Sequence, residues 1–319
     1  MDALNIPGDD IVLPFQIAPS ELRGRLVRLG PAVDTILRRH AYPTPVATTL
    51  AEMVAIAAAL AVTLKYDGVF TMQVKGDGPV RLMVADVTTD GALRGYAQFD
   101  EATVAALGTD RPSAPRLFGA GYLAFTVDQG VHTERYQGIV ELTGSTLAEC
   151  AHHYFRQSEQ FQAGLKVAAA QHIAVDGSRQ WRAGALMVQR LPPDGAQGSA
   201  EGRDEKPLDV SAEEAEDGWR RALMLAASAT SAELVDPQLP AWKLVDRLYL
   251  AEGVRIYRPH EMTHRCRCSR ERVADVLRSL PVAEVDELKI DDKIEVRCEF
   301  CNSAHVFDSD DLKALRARR

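Results

Sequence analysis

Four of the five cysteines in this 319-residue chain form two close pairs near the C-terminus, Cys266 with Cys268 and Cys298 with Cys301. The spacing is C-x-C, then 29 residues, then C-x-x-C. Four thiolates complete a tetrahedral Zn²⁺ site, and small domains build such sites from two close pairs separated by an insert. The spacing therefore predicts one zinc ion per chain, with these four cysteines as its ligands.

The segment that carries these cysteines should depend on the metal for its folding. At about 55 residues, with few aromatic side chains, it cannot bury enough surface to be stable unaided. If the thiolates were oxidised to disulfides, they would stop being ligands, and folding free energy on the order of 10 kcal/mol would be lost. A zinc site of this kind is therefore also a candidate redox switch.

Other interpretations of the cysteines are open. Unpaired thiols or structural disulfides account poorly for the pairing, because paired cysteines in a reducing compartment more often bind metal or do redox chemistry. Cys298-x-x-Cys301 could belong to a thiol-disulfide oxidoreductase, but the flanking pattern lacks the usual βαβ order. His264 and His305 lie nearby as alternative ligands, but with four cysteines present we interpret them as bystanders. Cys150 is interpreted as a small apolar residue on a helix, with a regulatory thiol as the alternative.

The charges around the cysteines allow two interpretations. Arginines at positions 265, 267, 270, 272 and 297 either offset the negative charge of a four-thiolate centre or form a solvated basic face. A nucleic-acid-binding zinc module is disfavoured, because residues 260–319 hold twelve Lys and Arg against thirteen Asp and Glu. A segment with almost no net charge attracts a phosphate backbone only weakly, although a small basic tail is present at Arg316, Arg318 and Arg319.

The whole chain has the composition of a globular protein with room for about two domains. It is 46% hydrophobic and 26% charged, with a formal net charge of -8. The N-terminus lacks a basic region followed by an apolar run, so we expect no signal peptide. The most apolar window, 46–64, contains Glu52 and follows Thr44-Pro45, which predicts a buried helix rather than a membrane span. We therefore expect a cytoplasmic protein without a membrane partner.

The elements of residues 1–191 predict one mixed α+β domain. From about residue 67 to residue 100, three strand-like runs are separated by Gly76-Asp77-Gly78 and Asp90-Gly91, which is typical of a β-meander. A helix with Ser145 or Thr146 as its cap is predicted at 145–161. Further strands are predicted at 121–127, 133–142, 165–175 and 181–191.

Residues 192–259 are predicted to form an acidic and then helical linker. Proline, glycine and charge replace periodicity at its start, and residues 192–219 hold nine acidic residues against Arg203 and Lys206, a net of -7. Helical patterns follow at 211–230 and 240–254; helices this short and charged are marginal alone and need a surface to pack on. Six apolar side chains should be buried on that surface: Trp219, Leu223, Leu225, Trp242, Leu244 and Leu248.

The last predicted domain, residues 260–319, is a small zinc-binding domain. Its pattern indicates a helix at 269–279, two short strands around "KIEVRC" and "AHVF", and a final helix.

The chain resembles the Hsp33-type redox-regulated chaperones over nearly its whole length. The strongest stretches are "CRCSRERVADVLRSL" and "DDKIEVRCEFCNSAHVFD"; "VKGDGPVRLMVAD", "LRGYA", "YFRQSEQ" and "AGALMVQ" are similar to segments of the family's body. Each of the four paired cysteines matches one of the family's zinc ligands. The insert at 195–206 and the extra Cys150 depart from the family pattern.

The resemblance implies an ATP-independent holdase and not an enzyme, so no catalytic residue is assigned. A GxxxxGK(S/T) phosphate loop is likewise missing from the sequence. In the family, the reduced, zinc-bound form is inactive. Oxidation forms disulfides within each pair, here Cys266 with Cys268 and Cys298 with Cys301, zinc is released, and the linker unfolds. The active homodimer then binds unfolding client proteins during oxidative stress. A bridge between residues i and i+2 should be strained and easily reduced.

Overall fold

The computed structural model describes residues 8–18, 22–64, 66–130, 136–156, 162–174, 176–190 and 211–317. Its contacts divide the chain into two compact units, Met1–His264 and Arg265–Arg319. The acidic stretch at 192–210, including the insert, lies outside the described residues, as do the last residues of the helix predicted at 145–161 and the two C-terminal arginines.

The first unit is built mainly of strands. In chain order they are β1 (Ile11–Ile17), β2 (Leu22–Leu29), β3 (Val69–Gly76), β4 (Val80–Thr88), β5 (Ala92–Phe99), β6 (Gly121–Asp128), β7 (Tyr136–Glu141), β8 (Gln162–Ile173), β9 (Arg179–Arg190), β10 (Val254–Ile256), β11 (His260–Glu261) and β12 (Thr263–His264).

Its helices fall into a body group and a linker group. Those of the body are α1 (Pro31–Arg38), α2 (Thr44–Ala61), α3 (Glu101–Ala105), α4 (Ala114–Phe118) and α5 (Leu147–Tyr154). Those of the linker are α6 (Ala212–Ser228), α7 (Ser231–Val235) and α8 (Ala241–Tyr249), followed by a 3₁₀ turn at Leu250–Glu252.

The strands form two sheets. The first has the order β10-β1-β2-β9-β8, with β11 also paired to β1, and all its pairs are antiparallel. The second has the order β12-β5-β4-β3-β6-β7, in which β12 runs parallel to β5. The run β3-β4-β5 is the predicted meander, which the structure confirms.

Helix α2 is the centre of the main core. It packs against strands of both sheets, and its alanines allow close approach on every side. Among the described residues it is the one helix long and apolar enough to cross a membrane, but 83% of it is buried inside the protein. This agrees with the prediction of a core helix in the window 46–64.

The first sheet is covered on both faces. Val12, Val27 and Met187 belong to the main core with α2. The alternate residues of the same strands, such as Leu13 and Leu26, form a second apolar cluster with the linker helices. Since side chains alternate along a strand, this separation shows that the linker helices occupy the face opposite α2.

The second unit is small. Its elements are α9 (Arg270–Ser279), α10 (Val282–Glu287), β13 (Ile294–Arg297), β14 (Ala304–Phe307) and α11 (Ser309–Ala317), with β13 and β14 paired as an antiparallel hairpin. Its buried apolar core is made of Ala274, Leu277, Val285, Ile294, Phe307 and Leu312. A core of this size supplies little stability by itself.

The α+β fold class predicted from the sequence is confirmed, and the structure adds elements that the sequence did not predict. Strands β1 and β2 and helix α1 were not anticipated. The helix predicted at 240–254 ends at Tyr249, and the chain then pairs with β1 through Val254–Ile256.

Candidate metal centre and the docked linker

Cys266 and Cys268 lie directly before α9. Ser269 caps this helix, because its side chain accepts a hydrogen bond from the amide of Arg272 at 3.2 Å. An N-cap of this kind satisfies an otherwise unpaired amide and fixes the direction in which the chain enters the helix. The cap therefore holds the first pair of sulfurs at the N-terminal end of α9.

Cys298 and Cys301 lie in the turn that joins β13 to β14. The amide of Cys298 donates to the carbonyl of Ser303 at 3.0 Å, and its own carbonyl accepts from the amide of Asn302 at 2.8 Å. Asn302 has a φ of 56°, a left-handed conformation that asparagine adopts more readily than most residues. The pair thus occupies a hairpin turn and not the first turn of a helix, where the motif of an oxidoreductase lowers its thiol pKa.

The fold brings all four sulfurs together. Their Sγ atoms lie within 4.8 Å of one another. Two of the separations join the two pairs, at 3.6 Å between Cys266 and Cys298 and at 3.4 Å between Cys268 and Cys301. Four sulfurs bound to one zinc at about 2.3 Å stand about 3.8 Å apart. The cluster therefore fits a single tetrahedral ion, and thiolates are soft ligands of the kind that bind zinc, copper(I) or iron.

Three of the thiols differ in the direction in which the site shifts their pKa. Burial, followed by the neighbouring thiols, raises the pKa of Cys268, and burial also raises the pKa of Cys298. Burial acts on Cys301 in the same direction, but hydrogen bonds with Ser303 outweigh it and lower the pKa of Cys301 to about 6. Four anionic sulfurs at these distances repel one another strongly. The cluster is therefore suited to hold a cation.

Two of the flanking arginines make contacts that stabilise the second unit. Arg270 forms an ion pair with Asp311 at 2.6 Å, and its guanidinium lies 4.3 Å from the centre of the Phe307 ring. Arg272 donates to the carbonyl of Arg267 at 2.7 Å, across the segment that carries the first two cysteines. These contacts fasten α9 to the hairpin and to the final helix.

The two histidines and the fifth cysteine do not belong to the sulfur cluster. His264 lies in the first unit, where its Nδ1 is 3.3 Å from the carbonyl oxygen of Leu93. His305 lies on β14 with its Nε2 buried. Cys150 is fully buried on α5, and burial raises its pKa to about 11. The interpretation of Cys150 as an apolar core residue agrees with this position.

The linker helices are tied to the first sheet by apolar contacts. Phe15 stacks on Tyr249 with ring centres 5.3 Å apart, and the Tyr249 hydroxyl donates to the carbonyl of Ala222 at 3.2 Å. Among the six side chains predicted to be buried, Trp219, Leu244 and Leu248 are buried, and Leu223 and Leu225 are partly buried against the same cluster.

The prediction for Trp242 was wrong, because this side chain is 39% exposed. It is the second residue of α8. The buried face of that helix is formed instead by Ala241, Leu244, Val245 and Leu248, at the three- and four-residue spacing of a helix stripe.

The linker helices also have strong local start signals. Ser211 and Glu214 form a capping box at α6, and Thr230 and Glu233 form a second one at α7. In each box the hydroxyl accepts from the third helical amide while the glutamate accepts from the cap amide, so two amides are satisfied at once.

Two arginines of the first sheet bind the backbone of α7. Arg28 is fully buried on β2 and donates to the carbonyls of Asp236 and Glu233, at 2.5 and 2.7 Å. Arg182 on β9 donates from its Nε to the carbonyl of Val235 at 2.7 Å. Burial lowers the pKa of Arg28 to about 10, which leaves it charged at neutral pH. The C-terminal carbonyls of α7 thus have cationic donors in the sheet.

A match to a family model extends over most of the chain. Residues 10–308 match the model described as Hsp33 protein. A protein named 33 kDa chaperonin from Caulobacter vibrioides is 40% identical over 303 residues, covering 94% of this chain and 95% of that one. A 33 kDa chaperonin from Photorhabdus laumondii is 36% identical over 299 residues, covering 93% of each chain.

The fold has a counterpart among solved structures. The crystal structure of the 33 kDa chaperonin of Thermotoga maritima aligns with a TM-score of 0.75 over 97% of this chain and 98% of that chain, at 22% sequence identity. At that sequence identity the structural similarity is evidence for the fold alone. The relatives and the family model, which match nearly the full length, identify the protein further: the chain belongs to the Hsp33 family.

Proposed function

We propose that the protein is a holdase chaperone whose activity is switched on by oxidation of the four paired cysteines. The observation that carries the proposal is the gathering of Cys266, Cys268, Cys298 and Cys301 within 4.8 Å, in a unit with a small apolar core. The relatives named 33 kDa chaperonin support the chaperone part. In this proposal residues 1–191 are the chaperone body, 192–259 the relay and 260–319 the sensor.

In the reduced state the four cysteines would hold one Zn²⁺ as thiolates. The ion would supply most of the folding free energy of the second unit, as structural zinc does in other small domains. The chain's own part is to present the sulfurs at the right spacing, through the Ser269 cap and the hairpin turn. With the ion bound, the unit stays folded and the linker helices remain on the sheet.

Oxidation would convert the sulfurs from ligands into disulfides. Each bridge forms when two thiols give up two electrons and two protons to a peroxide, which is reduced to water or to an alcohol and water. Two bridges, Cys266 with Cys268 and Cys298 with Cys301, consume two molecules of peroxide. A disulfide sulfur carries no negative charge, so the oxidised chain would no longer hold the ion.

Unfolding of the second unit would reach the linker through the chain that joins them. Between α8 and Cys266 the strands that pair with the body, β10, β11 and β12, are short, at three, two and two residues. Such ladders open easily. Release of α6, α7 and α8 would then uncover the apolar face of the first sheet, and unfolding client proteins would bind there. We propose that the active form is a cytoplasmic homodimer and needs no ATP.

The test follows aggregation of a heat-unfolded client by light scattering, with reduced, peroxide-treated and re-reduced protein. We expect protection from the oxidised protein alone, reversal by reductant and no effect of ATP. Zinc measured in parallel should fall from about one per chain as the thiols are lost. Equal protection by reduced and oxidised protein would refute the switch. Zinc retained by a variant with all four cysteines replaced by serine would refute the ligand assignment.

A further inference from the structure

Four cations lie on the sheet face that the linker covers. Arg28 stands on β2, Lys166 on β8, and Arg182 and Arg190 on β9. In the strand register, Arg28 is paired with Gly184, and Lys166 with Leu186. Both partners contact the linker cluster or lie against it. We call these four residues the cationic sites.

Each cationic site binds the linker through an oxygen. Arg28 and Arg182 donate to carbonyls at the end of α7, as described above. Lys166 donates to the carbonyl of Ala227, in the last turn of α6, at 2.8 Å. Arg190 forms an ion pair with Glu216 at 2.8 Å. The C-terminal carbonyls of a helix carry partial negative charge. In all four contacts, therefore, a cation of the sheet meets negative charge on the linker.

The linker that occupies this face is itself acidic and amphipathic. Residues 211–253 contain eight Asp and Glu against four Lys and Arg, a net of -4. Its apolar stripe packs on Leu13, Phe15 and Leu186, while its carbonyls and one carboxylate meet the cationic sites. The face is thus complementary to an acidic amphipathic helix in both shape and charge.

Departure of the linker would expose the cationic sites together with the apolar residues between them. Asp9 remains beside Arg182, which it contacts through both carboxylate oxygens. The partners that Arg28, Lys166 and Arg190 have on the linker would leave with it. A surface that combines apolar contacts with unneutralised cations favours ligands that offer carboxylates beside apolar side chains.

We propose that the cationic sites make the oxidised protein prefer client segments that are apolar and acidic, so that such a segment takes the place of the linker. This inference rests on the proposed function. It adds the chemical class of the preferred client. The formal net charge of the whole chain is -8 and would by itself repel such segments, so a preference for them must come from local contacts.

The test uses the oxidised full-length protein and three fluorescent peptides. Each peptide has the same apolar face, with Glu, Gln or Lys at every polar position, and binding is measured by anisotropy at low and high salt. We expect the acidic peptide to bind about tenfold more tightly than the neutral one, a difference of about 1.4 kcal/mol, and the basic peptide to bind most weakly. The advantage of the acidic peptide should shrink in high salt.

A matched pair of variants assigns the effect to the cationic sites. Lys166→Gln with Arg190→Gln changes two half-buried cations on the linker face and should reduce the preference at least severalfold while the neutral peptide still binds. Lys75→Gln with Arg81→Gln removes the same charge from exposed positions of the other sheet and should keep the preference. Equal binding of acidic and neutral peptides, or a preference that is undiminished in the first variant, would overturn this inference but leave the holdase intact. Failure of every peptide to bind oxidised protein would overturn the proposed function as well.

Discussion

Gly184 on β9 lies directly against the backbone of Leu234 in α7. A β-carbon built on Gly184 would stand 2.2 Å from the carbonyl oxygen of Leu234, far inside van der Waals contact. On the neighbouring strand, a β-carbon on Gly164 would stand 2.4 Å from Cδ2 of Leu223. The first obstacle is a backbone atom and the second is the tip of a flexible side chain. The two glycines therefore make a matched pair.

Gly184→Ala should loosen the docking of the linker, because α7 must move away from the sheet to admit the methyl group. We expect a cost of about 1–3 kcal/mol, seen as faster hydrogen exchange of peptides from 211–253 in the reduced protein. Gly164→Ala should cost less, since the Leu223 side chain can turn aside. Equal exchange in the two variants would contradict this account of the contact. If the linker restrains activity, Gly184→Ala should also protect clients without oxidant.

Arg28→Met tests the hydrogen bonds between the sheet and the end of α7. The substitution keeps an unbranched apolar stem but leaves the carbonyls of Glu233 and Asp236 without their donor. Loss of a buried charged donor should weaken docking by about 2 kcal/mol or more. Limited proteolysis of the reduced protein should then cut the linker sooner, while β3 to β6 keep their exchange protection. Arg81→Met, at an exposed position, is the control. Cleavage at the wild-type rate would show that these bonds do not hold the linker.

Glu52 gives the stability of the protein a dependence on pH. It lies on the core helix α2, and burial raises its pKa from the ordinary value of 4.5 to about 7, against the opposing effect of Arg111. The folded protein therefore binds this proton more tightly than the unfolded chain does. The resulting stabilisation is complete below pH 4.5 and is lost as the pH rises through 7.

Glu52→Gln should consequently gain stability relative to the wild type as the pH rises from 5 to 8. The gain should approach about 2–3 kcal/mol, at about 1.4 kcal/mol for each pH unit between the two pKa values. Urea unfolding at several pH values measures it. Glu101→Gln, which removes an exposed carboxylate, controls for the change in net charge. A constant difference between wild type and Glu52→Gln across this range would count against a buried, protonated carboxyl.

Cys150 should be the last thiol to react with peroxide. It is fully buried and its pKa is raised to about 11, so almost none of it is thiolate at neutral pH. Cys150→Ser should keep its zinc and its redox response, whereas Cys301→Ser should lose both. Alkylation followed by mass spectrometry gives the order of reaction. Oxidation of Cys150 as fast as that of the paired cysteines would instead favour a regulatory thiol.

The elements predicted correctly are those in which the order of apolar and polar residues reflects which side of the element is buried. The meander at β3 to β5 has alternation because one face of each strand is less buried than the other, and the turns carry glycine. The gathering of the two cysteine pairs could be predicted from their spacing, because two close pairs separated by an insert are a common way to bring four thiols together. Strand β2 was missed because it is buried on both faces and contains Arg25 and Arg28, so that neither alternation nor an apolar run marks it.

The remaining misses depend on contacts between distant parts of the chain. Strands of two or three residues, such as His260–Glu261 and Thr263–His264, exist only because they pair with β1 and β5. The cationic sites are polar residues within strands. The sequence alone gives no sign that three of them bind backbone carbonyls some 50 to 200 residues away, or that Arg190 pairs with Glu216. Trp242 was assigned to the buried stripe by its size, although its position on α8 places it beside that stripe.

Two sulfur separations in the cluster, 3.6 Å between Cys266 and Cys298 and 3.4 Å between Cys268 and Cys301, join one close pair to the other. A bond along either of these lines would tie together positions about thirty residues apart and remove about 4 kcal/mol of chain entropy from the unfolded segment, against about 2 kcal/mol for a bond within a pair. A bond between the two pairs would hold the second unit closed. A bond within a pair would leave most of that unit free to unfold. Under the proposed switch, the same oxidant would activate the protein or keep its second unit folded, according to which neighbour each sulfur bonds.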